Sequence, residues 1–153
     1  MTKEEFQQFC KNYFLERGYR KKRNDYYLVG ESGILSSIDL QKSQFSSGYY
    51  INFNFYLNNY IDVPSSKFPS CYDSDIDGRI GIMTVIDGEC FETGLFEYEK
   101  YTPEMLKPYF DKAFDEIIFP PLKLGKKYIL ENLNILYDLS LNREEVLRKL
   151  KED

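Results

Sequence analysis

Two neighbouring segments, residues 33–42 and 49–57, alternate in step, and no other feature of the chain limits its fold as much. In the first, Ile34, Ile38 and Leu40 share one parity; in the second, Tyr49, Ile51, Phe53, Phe55 and Leu57 do. Successive side chains of a strand point to opposite faces, so each segment reads as a strand with one buried and one polar side. Phe45-Ser46-Ser47-Gly48 between them suits a chain reversal. Closing the hairpin there sets Leu40 opposite Phe53 and Ile38 opposite Phe55. The same register sets Gln41 opposite Asn52, and Asp39 opposite Asn54, on the other face. One register that satisfies both faces is what a hairpin requires.

The flanking segments provide a layer for the apolar face. Thr2 and Glu5 form a capping box, and Phe6, Phe9, Cys10, Tyr13 and Phe14 follow with the spacing of one helical stripe. Gly18 ends this helix. Residues 19–23 and 26–30 read as strands around an Asn24-Asp25 turn. Residues 58–77, with Pro64, Pro69 and several serines, read as a long loop. Residues 79–86 and 89–96 read as strands joined by Asp87-Gly88, a type I′ turn. Leu106, Tyr109, Phe110, Ala113, Phe114 and Ile117 form a second helical stripe, which begins near Pro108 and is stopped by Pro120-Pro121. A helix over about 126–137 follows, then a last one after Asn142, with Asn142 and Glu145 closing its box. The predicted fold is α+β: an N-terminal helix, an antiparallel meander of about five to six strands, and C-terminal helices packed on one face. The 153 residues suit one domain, with a core over 1–120 and a helical extension over 121–153.

Composition excludes several chemistries. Histidine is absent, which rules out Ser-His-Asp and Cys-His nucleophiles and zinc sites that need imidazole. A catalyst here would use carboxylates, Tyr, Lys, Arg or Cys with pKa values shifted by their surroundings. Cys10, Cys71 and Cys90 are odd in number, widely spaced and free of any CxxC. A disulfide framework is therefore not expected, and a reducing, cytoplasmic setting is. Cys10 sits on the apolar stripe and reads as core. The formal net charge of −5 argues against a nucleic-acid partner. No apolar run approaches the roughly 18–20 residues of a membrane span, and the N-terminus lacks a signal-peptide pattern, so no membrane partner is expected. No residue pattern calls for a cofactor.

Four constellations could carry function, each beside a plainer reading. Asp73, Asp75 and Asp77, followed by Gly78 and Ile80, match the opening of an EF-hand loop. Thr84 stands where the bidentate glutamate belongs, so the plainer reading is a solvated acidic loop. Arg17, Arg20, Lys21, Lys22 and Arg23 could hold phosphate or an acidic partner, or could be a charged strand edge that discourages aggregation. Asp39, Gln41, Asn52 and Asn54, joined by Arg79, could read a ligand or a partner's backbone, because amides donate and accept together. Their plainer reading is the wet side of a one-sided sheet. The 14 tyrosines, Tyr50 and Tyr56 among them, suit a binding surface or a half-polar core equally.

Arg17-Gly18-Tyr19-Arg20-Lys21-Lys22, the pair Tyr26-Tyr27, then Asp39-Leu40-Gln41-Lys42-Ser43, Tyr50-Ile51-Asn52-Phe53 and Gly78-Arg79-Ile80-Gly81 follow one another in a characteristic order. In that order the chain resembles a bacterial family, the domain of unknown function 4304, over roughly residues 1–120. The resemblance implies a bacterial intracellular protein and brings no activity, cofactor or catalytic residue with it. The expectation for function is a non-catalytic module that binds another protein, such as an immunity or accessory protein acting by electrostatic complementarity. The alternative is a histidine-free, metal-assisted hydrolase that uses Asp73, Asp75 and Asp77 with Arg79 as charge stabiliser. Oligomeric state is open.

Overall fold

The computed structural model describes residues 1–139 and 142–152. Helix α1 (Lys3–Glu16) opens with the expected capping box: Glu5 N–H donates to Thr2 Oγ1 and Thr2 N–H to Glu5 Oε1, both at 3.1 Å. It closes at Gly18, whose φ of +94° lets Tyr19 N–H reach back to the Phe14 carbonyl at 3.1 Å. Between these caps α1 buries Phe6, Cys10, Tyr13 and Phe14.

The chain then forms five antiparallel neighbours: β1 (Arg20–Lys22), β2 (Asp25–Val29), β3 (Leu35–Lys42), β4 (Tyr49–Tyr56) and β5 (Ile76–Arg79). After β5 it leaves the sheet as a separate ribbon, β6 (Ile82–Ile86) and β7 (Glu89–Thr93). The Asp87-Gly88 turn has φ of 51° and 82°, as a type I′ turn demands. The chain returns as β8 (Leu95–Phe96), which pairs with Tyr49 and Tyr50 of β4. Helix α2 (Pro103–Ala113) begins at its Thr102 cap and runs through Pro108 instead of starting there. A π-helical turn over Phe114–Ile118 leads into α3 (Phe119–Leu124) and α4 (Lys126–Glu131). Strand β9 (Asp138–Leu139) pairs with β5, and α5 (Arg143–Lys151) ends the chain. The architecture is α+β, with helices against one face of an antiparallel sheet.

Several local expectations change. The β3–β4 hairpin pairs Leu40 with Ile51, Ile38 with Phe53 and Asp39 with Asn52, two residues from the predicted register. The loop begins earlier, because Ser43 N–H donates to the Gly48 carbonyl at 2.9 Å. A two-residue slip preserves both faces, so the alternation still holds. The first hairpin turns at Arg23-Asn24, with Lys22 opposite Asp25 and Arg23 at φ 58°. Helix α4 stops at Glu131, and no side-chain bond from Asn142 caps α5. Pro120-Pro121 does not stop the helix. Each proline withholds an N–H, and two tyrosine hydroxyls supply replacements: Tyr137 Oη donates to the Ile117 carbonyl at 2.5 Å and Tyr128 Oη to that of Glu116 at 3.4 Å.

Ile38, Ile51, Phe53, Phe55, Ile76 and Phe96 form the inner face of the sheet and pack with the helices into one core. Rings dominate it; Phe14 alone lies within 6.3 Å of Tyr19, Tyr26, Phe110 and Phe114. Gly78 is required here, since a Cβ would come within 2.3 Å of the Phe53 ring. The outer face is divided. At one end Tyr27, Leu35 and Tyr56 are buried beneath Tyr60 and Phe68 of the segment between β4 and β5. At the other end the face stays open.

Candidate functional site

The open half of the outer face is a polar groove built across β3, β4 and β5. Side chains on this face follow from pairing: Asp39 sits opposite Asn52, which sits opposite Arg79, while Asn54 sits opposite Asp77. Gln41 pairs with Tyr50 one step along. The groove encloses ≈ 750 Å³ and is lined by Asp39, Gln41, Asn52, Asn54, Asp77 and Arg79, with Cys71 and Tyr72 on one wall and Asp138 of β9 on another.

These side chains form one connected hydrogen-bond network. Asn52 Nδ2 donates to Asp39 Oδ2 at 2.9 Å and to Gln41 Oε1 at 3.1 Å. Asn54 Nδ2 donates to Asp39 Oδ1 at 3.3 Å, and Ser74 Oγ donates to Asn54 Oδ1 at 3.2 Å. Arg79 Nε donates to Asn52 Oδ1 at 3.1 Å and its Nη2 to Gln41 Oε1 at 3.3 Å. The guanidinium lies over the Tyr50 ring, 4.1 Å from its centroid. Arg79 is thereby held flat by an aromatic plate and two amides, and a guanidinium so held keeps further N–H donors for a ligand.

The surroundings are acidic. Burial, and next the Asp39 carboxylate opposite it, push the Asp25 carboxyl above its usual range. Burial and the same two aspartates also raise the Cys71 thiol, which keeps it protonated and works against its use as a nucleophile. The groove therefore offers donors, acceptors and a fixed cation on rigid strands.

The structure brings together Asp39, Gln41, Asn52, Asn54, Arg79 and Tyr50 from the predicted set. Tyr56 is separated from them: it is 1 % exposed, and its hydroxyl bonds Ser37 Oγ and the Ser70 carbonyl. The tyrosine excess is chiefly a core feature, since Tyr13, Tyr19, Tyr26, Tyr27, Tyr49, Tyr56, Tyr98 and Tyr137 are all buried. The acidic loop does not form an ion cage. Asp75 turns inward, accepting from Leu57 N–H at 2.8 Å and Lys149 Nζ at 2.9 Å. Asp73 lies on an exposed turn, and Asp77 belongs to β5. Among the described residues, no group of three or more Cys, Asp or Glu side chains is placed to hold a metal ion. Arg20, Lys21 and Lys22 form the edge strand β1, while Arg17 stacks on Tyr13 and pairs with Asp111 at 3.0 Å.

Sequence reasoning misses Cys71, Tyr72 and Asp138 as lining residues. Cys71 and Tyr72 come from the segment between β4 and β5, and Asp138 from β9 paired beside β5, so only a contact between distant parts of the chain could reveal them. Cys10 is buried, Cys71 half-buried and Cys90 exposed, and all three are free thiols. No described helix is long and apolar enough to cross a membrane. Comparison with curated proteins and with solved structures finds no match. One family model does match, over residues 10–119, a span that takes in β1 to β8 and the whole groove except Asp138. By that match the chain belongs to the family described as domain of unknown function (DUF4304).

Proposed function

We propose that this chain is a non-catalytic binding module that captures a segment of another protein in the groove around Arg79. The observation that carries this reading is the bonded set Asp39–Asn52–Gln41–Arg79, which sits on adjacent strands and opens to solvent. Binding groups fixed on strands need little reordering when a ligand arrives, so less of the interaction is lost to entropy. Asn and Gln satisfy the paired donors and acceptors of a peptide backbone, and the flattened guanidinium fits a carboxylate or carbonyl of the partner. An immunity or accessory protein of the cytoplasm has this character, and three unpaired cysteines agree with a reducing compartment.

The test compares wild type with Arg79→Ala and Arg79→Lys as baits in extracts of the native host. Any captured partner is then titrated calorimetrically. Arg79→Ala should weaken binding by at least about tenfold, since charge-assisted bonds contribute about 1.5–3 kcal/mol. Arg79→Lys should recover little, because an ammonium cannot stack and fork in the same way. Equal affinity of wild type and Arg79→Ala for the captured partner would remove the groove from consideration.

A further inference from the structure

The ribbon of β6 and β7 stands apart from the main sheet, paired only within itself from Ile82↔Thr93 to Ile86↔Glu89. A two-stranded ribbon has two open edges. Among the described residues, no backbone hydrogen bond joins residues 82–92 to anything outside the ribbon. On β6, Val85 is 65 % exposed, Ile86 57 % and Met83 44 %. The strand reads Ile-Met-Thr-Val-Ile, with no charge, proline or glycine. An edge of this kind invites another strand. The same protein guards its main sheet differently, since the edge strand β1 is Arg-Lys-Lys. The other edge of the ribbon, β7, carries Glu89 and Glu92.

We propose that β6 pairs antiparallel with β6 of a second copy of this chain, about a two-fold axis at Thr84, to give a four-stranded sheet. In that register Ile82 meets Ile86 of the second copy, Met83 meets Val85, and Thr84 meets its own counterpart. Every cross-strand pair is apolar or β-branched, which is the composition that stabilises sheets. Asp87 falls opposite Gly81, which keeps the two Asp87 carboxylates about six residues apart along the strands. That separation is about 20 Å at about 3.4 Å per residue, beyond the roughly 8–10 Å over which exposed charges interact. Pairing β7 with β7 about Phe91 would instead gather Glu89 and Glu92 of both copies into one short stretch. The second copy fits the β6 edge because that edge is self-complementary and uncharged. The inference is independent of the groove and goes beyond the binding function proposed for it.

Sedimentation velocity tests this, with the wild-type protein, Val85→Lys, and Thr84→Cys in a Cys71→Ser, Cys90→Ser background. Wild type should sediment as a dimer whose fraction rises with concentration up to about 100 μM. Val85→Lys should be monomeric, with an unchanged circular-dichroism spectrum to show that it folds. Thr84→Cys should crosslink to itself under mild oxidation, because facing Cα atoms in an antiparallel pair lie about 4.5–5.5 Å apart, within disulfide reach. A wild type that stays monomeric at every concentration overturns the proposal. So does a dimer that Val85→Lys leaves intact, or a Thr84→Cys protein that does not crosslink.

Discussion

Replacing Tyr137 by Phe removes one hydroxyl and should cost far more than one exposed hydrogen bond. In a regular helix the Ile117 carbonyl would accept the N–H of residue 121, but residue 121 is proline. Tyr137 Oη donates to that carbonyl at 2.5 Å in a partly buried bond, and Tyr137 itself is 2 % exposed, so water replaces the hydroxyl only in part. Burial also raises the Tyr137 hydroxyl pKa, so the group stays a donor throughout the accessible pH range. Leaving a buried acceptor without a partner costs about 1–3 kcal/mol, and a chain of this size loses about 2–4 °C of Tm per kcal/mol. Tyr137→Phe should therefore lower stability by about 2 kcal/mol and Tm by about 4–8 °C. Urea denaturation followed by far-ultraviolet circular dichroism is the assay, since the chain has no tryptophan. A double-mutant cycle with Pro121→Ala isolates the cause, because alanine restores the missing N–H. In that background the same substitution should cost less than about half as much. A loss below about 0.5 kcal/mol in wild type, or an equal loss in the Pro121→Ala background, would refute the reasoning.

Three further outcomes are expected. The Asp25 carboxyl titrates above its usual value, so its ionisation opposes folding above the folded pKa and has no effect below the unfolded one. Asp25→Asn should raise Tm at neutral pH and leave it unchanged near about pH 3, as thermal scans across pH will show. Asp111 behaves in the opposite sense: the Lys107 ammonium first, then the Tyr13 hydroxyl, hold its carboxyl below the usual range. Its contribution is complete above the unfolded pKa and is lost as pH falls through the folded one, so Asp111→Asn should flatten the acid limb of a stability–pH curve. Gly78→Ala forces a methyl group into the Phe53 ring and should cost about 1–3 kcal/mol by urea titration. Because Gly78 adjoins Arg79, the same variant should also shift the ring current of Tyr50 in proton spectra.

How far the sequence discloses this molecule depends on which symmetry each signal obeys. Alternation has a period of two, so it separates the faces of β3 and β4 correctly and brings Asp39, Gln41, Asn52, Asn54 and Arg79 to one surface. It is blind to a slip of two residues, and that is the error it makes: Leu40 meets Ile51, not Phe53. Alternation also carries a second signal. Tyr27, Leu35 and Tyr56 share the parity of the amide face, and together they form the small second core. A polar face that turns apolar at one end must be covered there, and the segment between β4 and β5 is long enough to do so. Its proline and serine content marks it as irregular without saying that Tyr60 and Phe68 fold back. The Pro120-Pro121 pair misleads for a related reason. A proline's local effect is to orphan a carbonyl, but whether the helix ends depends on a distant donor, and Tyr128 and Tyr137 are invisible to any local rule. Local chemistry thus fixes which side chains share a surface, while long-range contacts decide which of those surfaces reach solvent. The groove exists because no described segment covers the Arg79 end, and that single asymmetry leaves a row of carboxamides open to solvent instead of sealed inside as a structural network.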